Sequence, residues 1–147
     1  VDISKNGLKI LVELARRRAY QIKAIKHDFH KDDLLSLSFP DKSLLITSYN
    51  LHYWRKFSLK EFKNFIKLGI KSGIHIEPCS DLINKNKNER YNKLSLNYLI
   101  QNGYTLNIGN TFLEAEKEGL INLEISDYMT GMGLLPASTI KWWVREN

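Results

Sequence analysis

The sequence predicts an α/β domain whose sheet is mostly parallel and ends in an antiparallel strand pair. Three observations carry that expectation. Residues 43–47 form an apolar run of strand length, Phe62, Phe65 and Ile66 recur at helical spacing, and residues 73–77 form a second short apolar run that Pro78 stops. Strand, helix, strand in that order is a βαβ unit, with its ligand side beyond the carboxyl ends of the parallel strands. Residues 120–125 and 138–144 are two further strand patterns with no helix-length stretch between them, so they should run antiparallel.

Taken in order, Val1-Asp2-Ile3 reads as the end of an element, and Ser4 is placed to cap a helix running to about Arg18. Leu8, Leu11, Val12 and Ala15 mark one apolar face of that helix, with Ile10 and Leu14 beside it. Residues 20–25 alternate, with Tyr20, Ile22 and Ala24 on one side, which predicts a third parallel strand emerging at Lys26-His27-Asp28-Phe29-His30. The run 34–39 fits a short strand or a turn of helix equally well. Ser58 and Glu61 have the spacing of a capping box, in which the hydroxyl accepts from the Glu61 backbone and the carboxylate reaches back. A helix through Tyr91, Leu94, Leu96, Tyr98 and Leu99 should stop at Asn102-Gly103, and another, about 106–118, at Gly119. Gly131-Met132-Gly133 breaks the chain before the last strand, which contains Trp142 and Trp143.

The 147 residues suffice for one domain with a real core, and no apolar run approaches the roughly 20 residues of a membrane span. No secretory leader pattern is present, and a single cysteine, Cys79, fits a reducing compartment, so a cytoplasmic protein is expected. The net charge of +6 permits an acidic partner, but the basic residues are scattered between a helix end at Arg16-Arg17-Arg18 and a polar loop at Lys85 to Arg90. His27 and His30 stand three apart in an expected turn, and no cysteine pair or helical HxxxH accompanies them, so no metal site is expected.

The residues with chemistry to offer gather after the two central strands. His52, His75 and Glu77 can each stand on the open side of the sheet and take a proton from a hydroxyl, and the pattern does not choose among them. Alternation puts His75 and Glu77 on one face, with Ile74 and Ile76 toward the core and the Glu77 carboxylate at the mouth of the site. The plainer reading makes Tyr49, Asn50 and His52 capping and surface residues, and Trp54, Trp142 and Trp143 packing residues.

Motifs in order along the chain add a family likeness. Asp2 precedes the first helix; His27-Asp28-Phe29 follows the third-strand position; 46–53 ends the fourth; Ile74-His75-Ile76-Glu77-Pro78 ends the fifth. Asn97-Tyr98, Glu116-Lys117-Glu118-Gly119 and Pro136-Ala137-Ser138-Thr139-Ile140-Lys141-Trp142 come after them. Together these resemble a class I S-adenosylmethionine-dependent methyltransferase, in the branch of sugar and other small-molecule O-methyltransferases. The resemblance implies a Rossmann-like sheet with a reversed last strand and S-adenosylmethionine as cofactor. It implies Asp2 on the ribose hydroxyls, Asp28 and Phe29 at the adenine, and Ser48 and Tyr49 near the methyl group. It implies Asn50 and Glu77 on a small-molecule substrate. The chain departs from the family in having no glycine-rich turn ahead of Asp2, since Gly131-Met132-Gly133 lies between the last two strands. The expected sheet is therefore incomplete on its N-terminal side, to be completed by upstream residues or by a homo- or hetero-oligomeric partner. Two other classes compete: a non-catalytic α/β interaction subunit, and a basic nucleic-acid-binding module using the Lys85 to Arg90 loop.

Overall fold

The computed structural model describes residues 4–28, 31–54, 57–82, 89–126, 135 and 137–146. The chain divides into two compact units, Val1–Leu37 and Ser38–Asn147. Asp2 and Phe29 lie outside the described residues, as do Gly131-Met132-Gly133 and residues 83–88.

The first unit holds helix α1, Lys5–Arg17, and a short 3-10 turn, Leu34–Ser36. Ser4 caps α1 as its position requires: its hydroxyl accepts from the Gly7 N–H at 3.1 Å. Arg16 and Arg17 both bind the Glu13 carboxylate, at 3.0 and 2.9 Å, and hold its pKa below the usual range. Of the apolar face only Ala15 is buried; Ile10, Leu11, Val12 and Leu14 are exposed. Residues 20–25 are not a strand. Alternation says which side chains would share a face, but a strand also needs an edge to pair with, and Tyr20 and Ile22 stand exposed.

Among its described residues the second unit is built on four strands: β1 (Ser43–Ser48), β2 (Ile70–Glu77), β3 (Ile121–Ser126) and β4 (Ser138–Val144). Helix α2 (Leu59–Lys67) connects β1 to β2; α3 (Glu89–Gln101) and α4 (Ile108–Lys117) lie between β2 and β3. The strand order is β1-β2-β4-β3. β1 and β2 are parallel, and β4 is antiparallel to both β2 and β3. This corrects the expected mostly parallel, Rossmann-like sheet: the sheet is mixed and mostly antiparallel. Two causes combine. The 20–25 segment contributes no parallel strand, and β4 returns from β3 without a helical crossover and inserts beside β2, so both of its pairings are antiparallel.

Helices α2 and α4 cover one face of this sheet. Phe62 and Phe65 of α2 and Phe112 and Ala115 of α4 are buried, with Phe62 edge-on to Trp142 at 5.0 Å and Phe112 against His75 at 4.9 Å. Trp54 and Phe57 extend this aromatic core, and full burial of each such ring contributes about 1.5–3 kcal/mol. The capping box forms differently from the expectation: the Ser58 hydroxyl donates to the Glu61 carboxylate instead of accepting a backbone N–H. Ile70 begins β2, because the turn at Gly69 (φ +83°) ends α2. Helix α4 is capped from a distance. The Asp81 carboxylate, just past β2, accepts from Gly109 N–H at 3.2 Å and Asn110 N–H at 2.6 Å. Burial pushes its pKa up, against the pull of these backbone N–H groups. Gly109 permits the approach, since a Cβ there would stand 2.2 Å from Leu82 Cγ.

Candidate functional site

The carboxyl ends of β1 and β2 lie side by side, in the register Thr47↔His75 and Ser48↔Ile76. Just beyond them Tyr49 takes a left-handed conformation, φ +48°, and its N–H donates to Ile76 O at 2.9 Å. A non-glycine residue there costs on the order of 1–2 kcal/mol, which the surrounding bonds offset. The turn aims the Asn50 N–H at the Glu77 carboxylate, 3.0 Å from both oxygens. A 3-10 turn, Leu51–Tyr53, then buries Leu51 and brings His52 Nδ1 to 3.4 Å from Glu77 Oε2. Thr105 fixes the far side of this turn: its N–H donates to His52 O at 2.9 Å, and its hydroxyl donates to Trp54 O.

Glu77 is fully buried, as is His75. The expected orientation of this strand is therefore reversed. His75 and Glu77 do share a face, but it is the face that α2 and α4 cover, while Ile74 and Ile76 lie half-buried on the other. Glu77 is not at a mouth. Its carboxylate accepts from the Thr47 hydroxyl at 2.8 Å as well as from Asn50 N–H and faces His52 Nδ1, a donor set that compensates a buried charge. His75 sits one step deeper. Its Nδ1 is 2.8 Å from the Thr47 hydroxyl, and its Nε2 accepts from the Trp142 indole N–H at 2.7 Å. Burial lowers the His75 pKa to about 4, with the nearby Glu77 charge pulling weakly the other way. With both ring nitrogens engaged, His75 has no nitrogen left for a substrate.

His52 is different. Among the described residues no hydrogen bond engages its Nε2, and its ring is bordered by tyrosines: Tyr53 at 4.0 Å, Tyr104 at 5.0 Å and Tyr49 at 6.1 Å between ring centroids. Tyr53 is half exposed, and Tyr98 meets Tyr104 at 6.1 Å to extend the aromatic rim. Burial, followed by the neighbouring phenols of Tyr53 and Tyr98, raises the Tyr104 pKa, so its hydroxyl stays a donor. His52 is itself buried, and its pairing with Glu77 through Nδ1 leaves Nε2 as the ring's basic nitrogen.

The structure thus brings together His52, His75, Glu77 and Asn50, and sets Tyr49 beside them with its hydroxyl donating to Leu135 O at 3.0 Å. Ser48 is exposed on the opposite sheet face. Asp28 belongs to the first unit, where its carbonyl accepts from Lys31 and Asp32 N–H at 3.0 and 2.8 Å and its N–H donates to Asp32 Oδ2 at 2.7 Å. Sequence reasoning missed Thr47, Trp142 and Gly73. No local signal marks Thr47, which meets His75 only through the register of β1 against β2. Gly73 lets Trp142 reach His75, since a Cβ at Gly73 would stand 2.3 Å from Trp142 Nε1 and 2.7 Å from His75 Nε2.

Among the described residues, neither Glu77 nor Asp81 is free to hold the ribose of S-adenosylmethionine. A ribose needs a carboxylate with acceptor capacity to spare, whereas Glu77 is committed to Thr47, Asn50 and His52, and Asp81 to the start of α4. No group of three metal-ligating His, Cys, Asp or Glu side chains occurs among the described residues. Among them, too, no helix is long and apolar enough to cross a membrane. In comparisons with known proteins, no family model, no curated protein and no solved structure matches the chain.

Proposed function

We infer that the Ser38–Asn147 unit is the acceptor side of a small-molecule O-methyltransferase that uses S-adenosylmethionine, with His52 as general base and Glu77 as its positioning residue. One observation carries the reading: an enclosed imidazole–carboxylate pair stands at the carboxyl ends of two parallel strands, with tyrosine rings bordering the imidazole. The cofactor supplies the methyl group. The chain's own part is proton handling: Glu77 Oε2 accepts from His52 Nδ1–H, which leaves Nε2 basic toward an acceptor hydroxyl. The tyrosine rim and the exposed Asn50 orient the acceptor, for which the family likeness suggests a sugar. The antiparallel placement of the last strand, β4, agrees with the reversed last strand of that likeness. The lone buried Cys79 suits a cytoplasmic setting.

The test begins with calorimetric titration of the chain with S-adenosylhomocysteine and continues with labelled methyl transfer to a panel of sugars. Binding is expected, with His52→Gln lowering transfer by roughly 10²–10⁴-fold at unchanged cofactor affinity. A folded chain that does not bind S-adenosylhomocysteine overturns the reading.

A second reading, an interaction subunit, is favoured by β1, an edge strand with Leu44 and Ile46 exposed on it. Light scattering that finds a dimer or a stable heteromeric partner, without cofactor binding, selects it.

A further inference from the structure

We propose that His75 is held as the neutral Nδ1–H tautomer and forms the centre of a one-way donor chain, Trp142 to His75 to Thr47 to Glu77, that positions the His52–Glu77 pair. The functional part of this rests on His52 being the general base; the tautomer does not.

The direction follows from what each group can do. An indole N–H only donates, so at 2.7 Å His75 Nε2 must present its lone pair. A neutral imidazole with Nε2 as acceptor carries its proton on Nδ1. That proton points at the Thr47 oxygen 2.8 Å away, which accepts it. Thr47 has one hydroxyl proton, and the remaining acceptor within reach is Glu77 Oε1, also at 2.8 Å. A carboxylate only accepts, so the chain ends there, and Oε2 is left to face His52 Nδ1.

No link can be reversed without leaving two donors or two acceptors face to face. An imidazolium at His75 would set two N–H groups against each other at Trp142. The surroundings enforce the same state: His75 is fully buried, between Phe112 at 4.9 Å and a Trp142 ring lying within 9° of parallel to it. The lowered His75 pKa is consistent with this geometry. The ionisable groups of the chain are Glu77 from its own strand and His52 from the turn after β1.

The consequence is specific. Thr47 fixes which carboxylate oxygen serves His52 and withdraws charge from it. Thr47→Val keeps the shape and removes the hydroxyl, which leaves Glu77 a stronger acceptor and the charged form of His52 more favoured. The experiment is long-range ¹⁵N NMR of the histidine rings in the cofactor-free chain, read from pH 5.5 to 8. His75 should show a protonated Nδ1 and an unprotonated Nε2 throughout. In Thr47→Val the His52 titration midpoint should rise by at least about half a pH unit, and Thr47→Ser should return it toward the wild-type value.

An Nε2-protonated or charged His75 in the unmodified chain overturns the proposal, whatever the variants do. So does a His52 titration that Thr47→Val, folded by circular dichroism, leaves in place. If Thr47→Val does not fold, Thr47→Ala, which removes the same hydroxyl, takes its place with the same rise expected. Tautomer and coupling as proposed, together with no S-adenosylhomocysteine binding, would refute the methyltransferase reading alone.

Discussion

The two faces of the sheet invert the usual rule. The face under α2 and α4 carries Thr47, His75, Glu77 and Ser138 among its apolar neighbours, while the other displays Leu44, Ile46 and Trp143 to solvent. Polar groups can occupy the buried side because each is met by a partner: the cost of burying a donor or acceptor is removed by hydrogen bonding, not by exposure. On the exposed face nothing demands such matching. The contrast teaches that residue polarity did not decide which face is covered. The aromatic side chains of α2 and α4 did, and the polar residues of β1 and β2 were accommodated by pairing with one another.

The comparison can be broken most severely at its most committed residue. Glu77→Ala removes the acceptor from Thr47, Asn50 N–H and His52 at once, and it should cost about 3–5 kcal/mol in urea unfolding. A loss under about 1 kcal/mol would mean that water takes the place of the carboxylate.

Acid should act on the same face. The folded pKa of His75, about 4, lies below its ordinary 6.5, so between these values the unfolded chain binds more protons. The His75 contribution to stability is thus present above about pH 6.5 and lost as pH falls toward 4, in total about 3 kcal/mol. Urea midpoints across that range check it, and His75→Gln should flatten the slope.

Gly73→Ala would press a methyl group into the Trp142 indole and should cost about 2–3 kcal/mol, with a shift in Trp142 emission as the indole N–H loses His75. On the exposed face Ile46→Thr should change stability by no more than about 0.5 kcal/mol, which equal thermal midpoints would confirm. A large loss there would show that this face is covered in solution.

The legible and illegible parts of the molecule divide by range. β1, α2 and β2 could be read because period-2 and period-3.6 patterns follow one another with turn residues between them, and β3 and β4 because no crossover fits between them. His52 and Glu77 could be placed near one another because one follows the end of β1 and the other ends β2. The sign of the alternation in β2 could not be read. Ile74 and Ile76 look like the inward residues until α2 and α4 are seen on the other side. Nor could Thr47, Gly73 and Trp142 be joined to His75. Their meeting depends on the register of β1 and β4 against β2, which local sequence does not encode. The 20–25 segment fails for the complementary reason: its pattern is local, but a strand's pairing is not.

Asp81 has a consequence for how this chain can change length. Its carboxylate ties the end of β2 to the first turn of α4, and the Ser80 hydroxyl joins Leu106 O at 3.2 Å beside it. The stretch between them, α3 included, is therefore a loop whose two mouths are clipped together independently of its contour. Loop-closure entropy grows only with the logarithm of length, about 0.6 kcal/mol per doubling. Residues added or removed ahead of α3 would leave the strand register and the Glu77 network where they are. Within the clipped stretch α3 brings Tyr98 to the rim beside His52, so a change of length there reaches the rim and not the carboxylate.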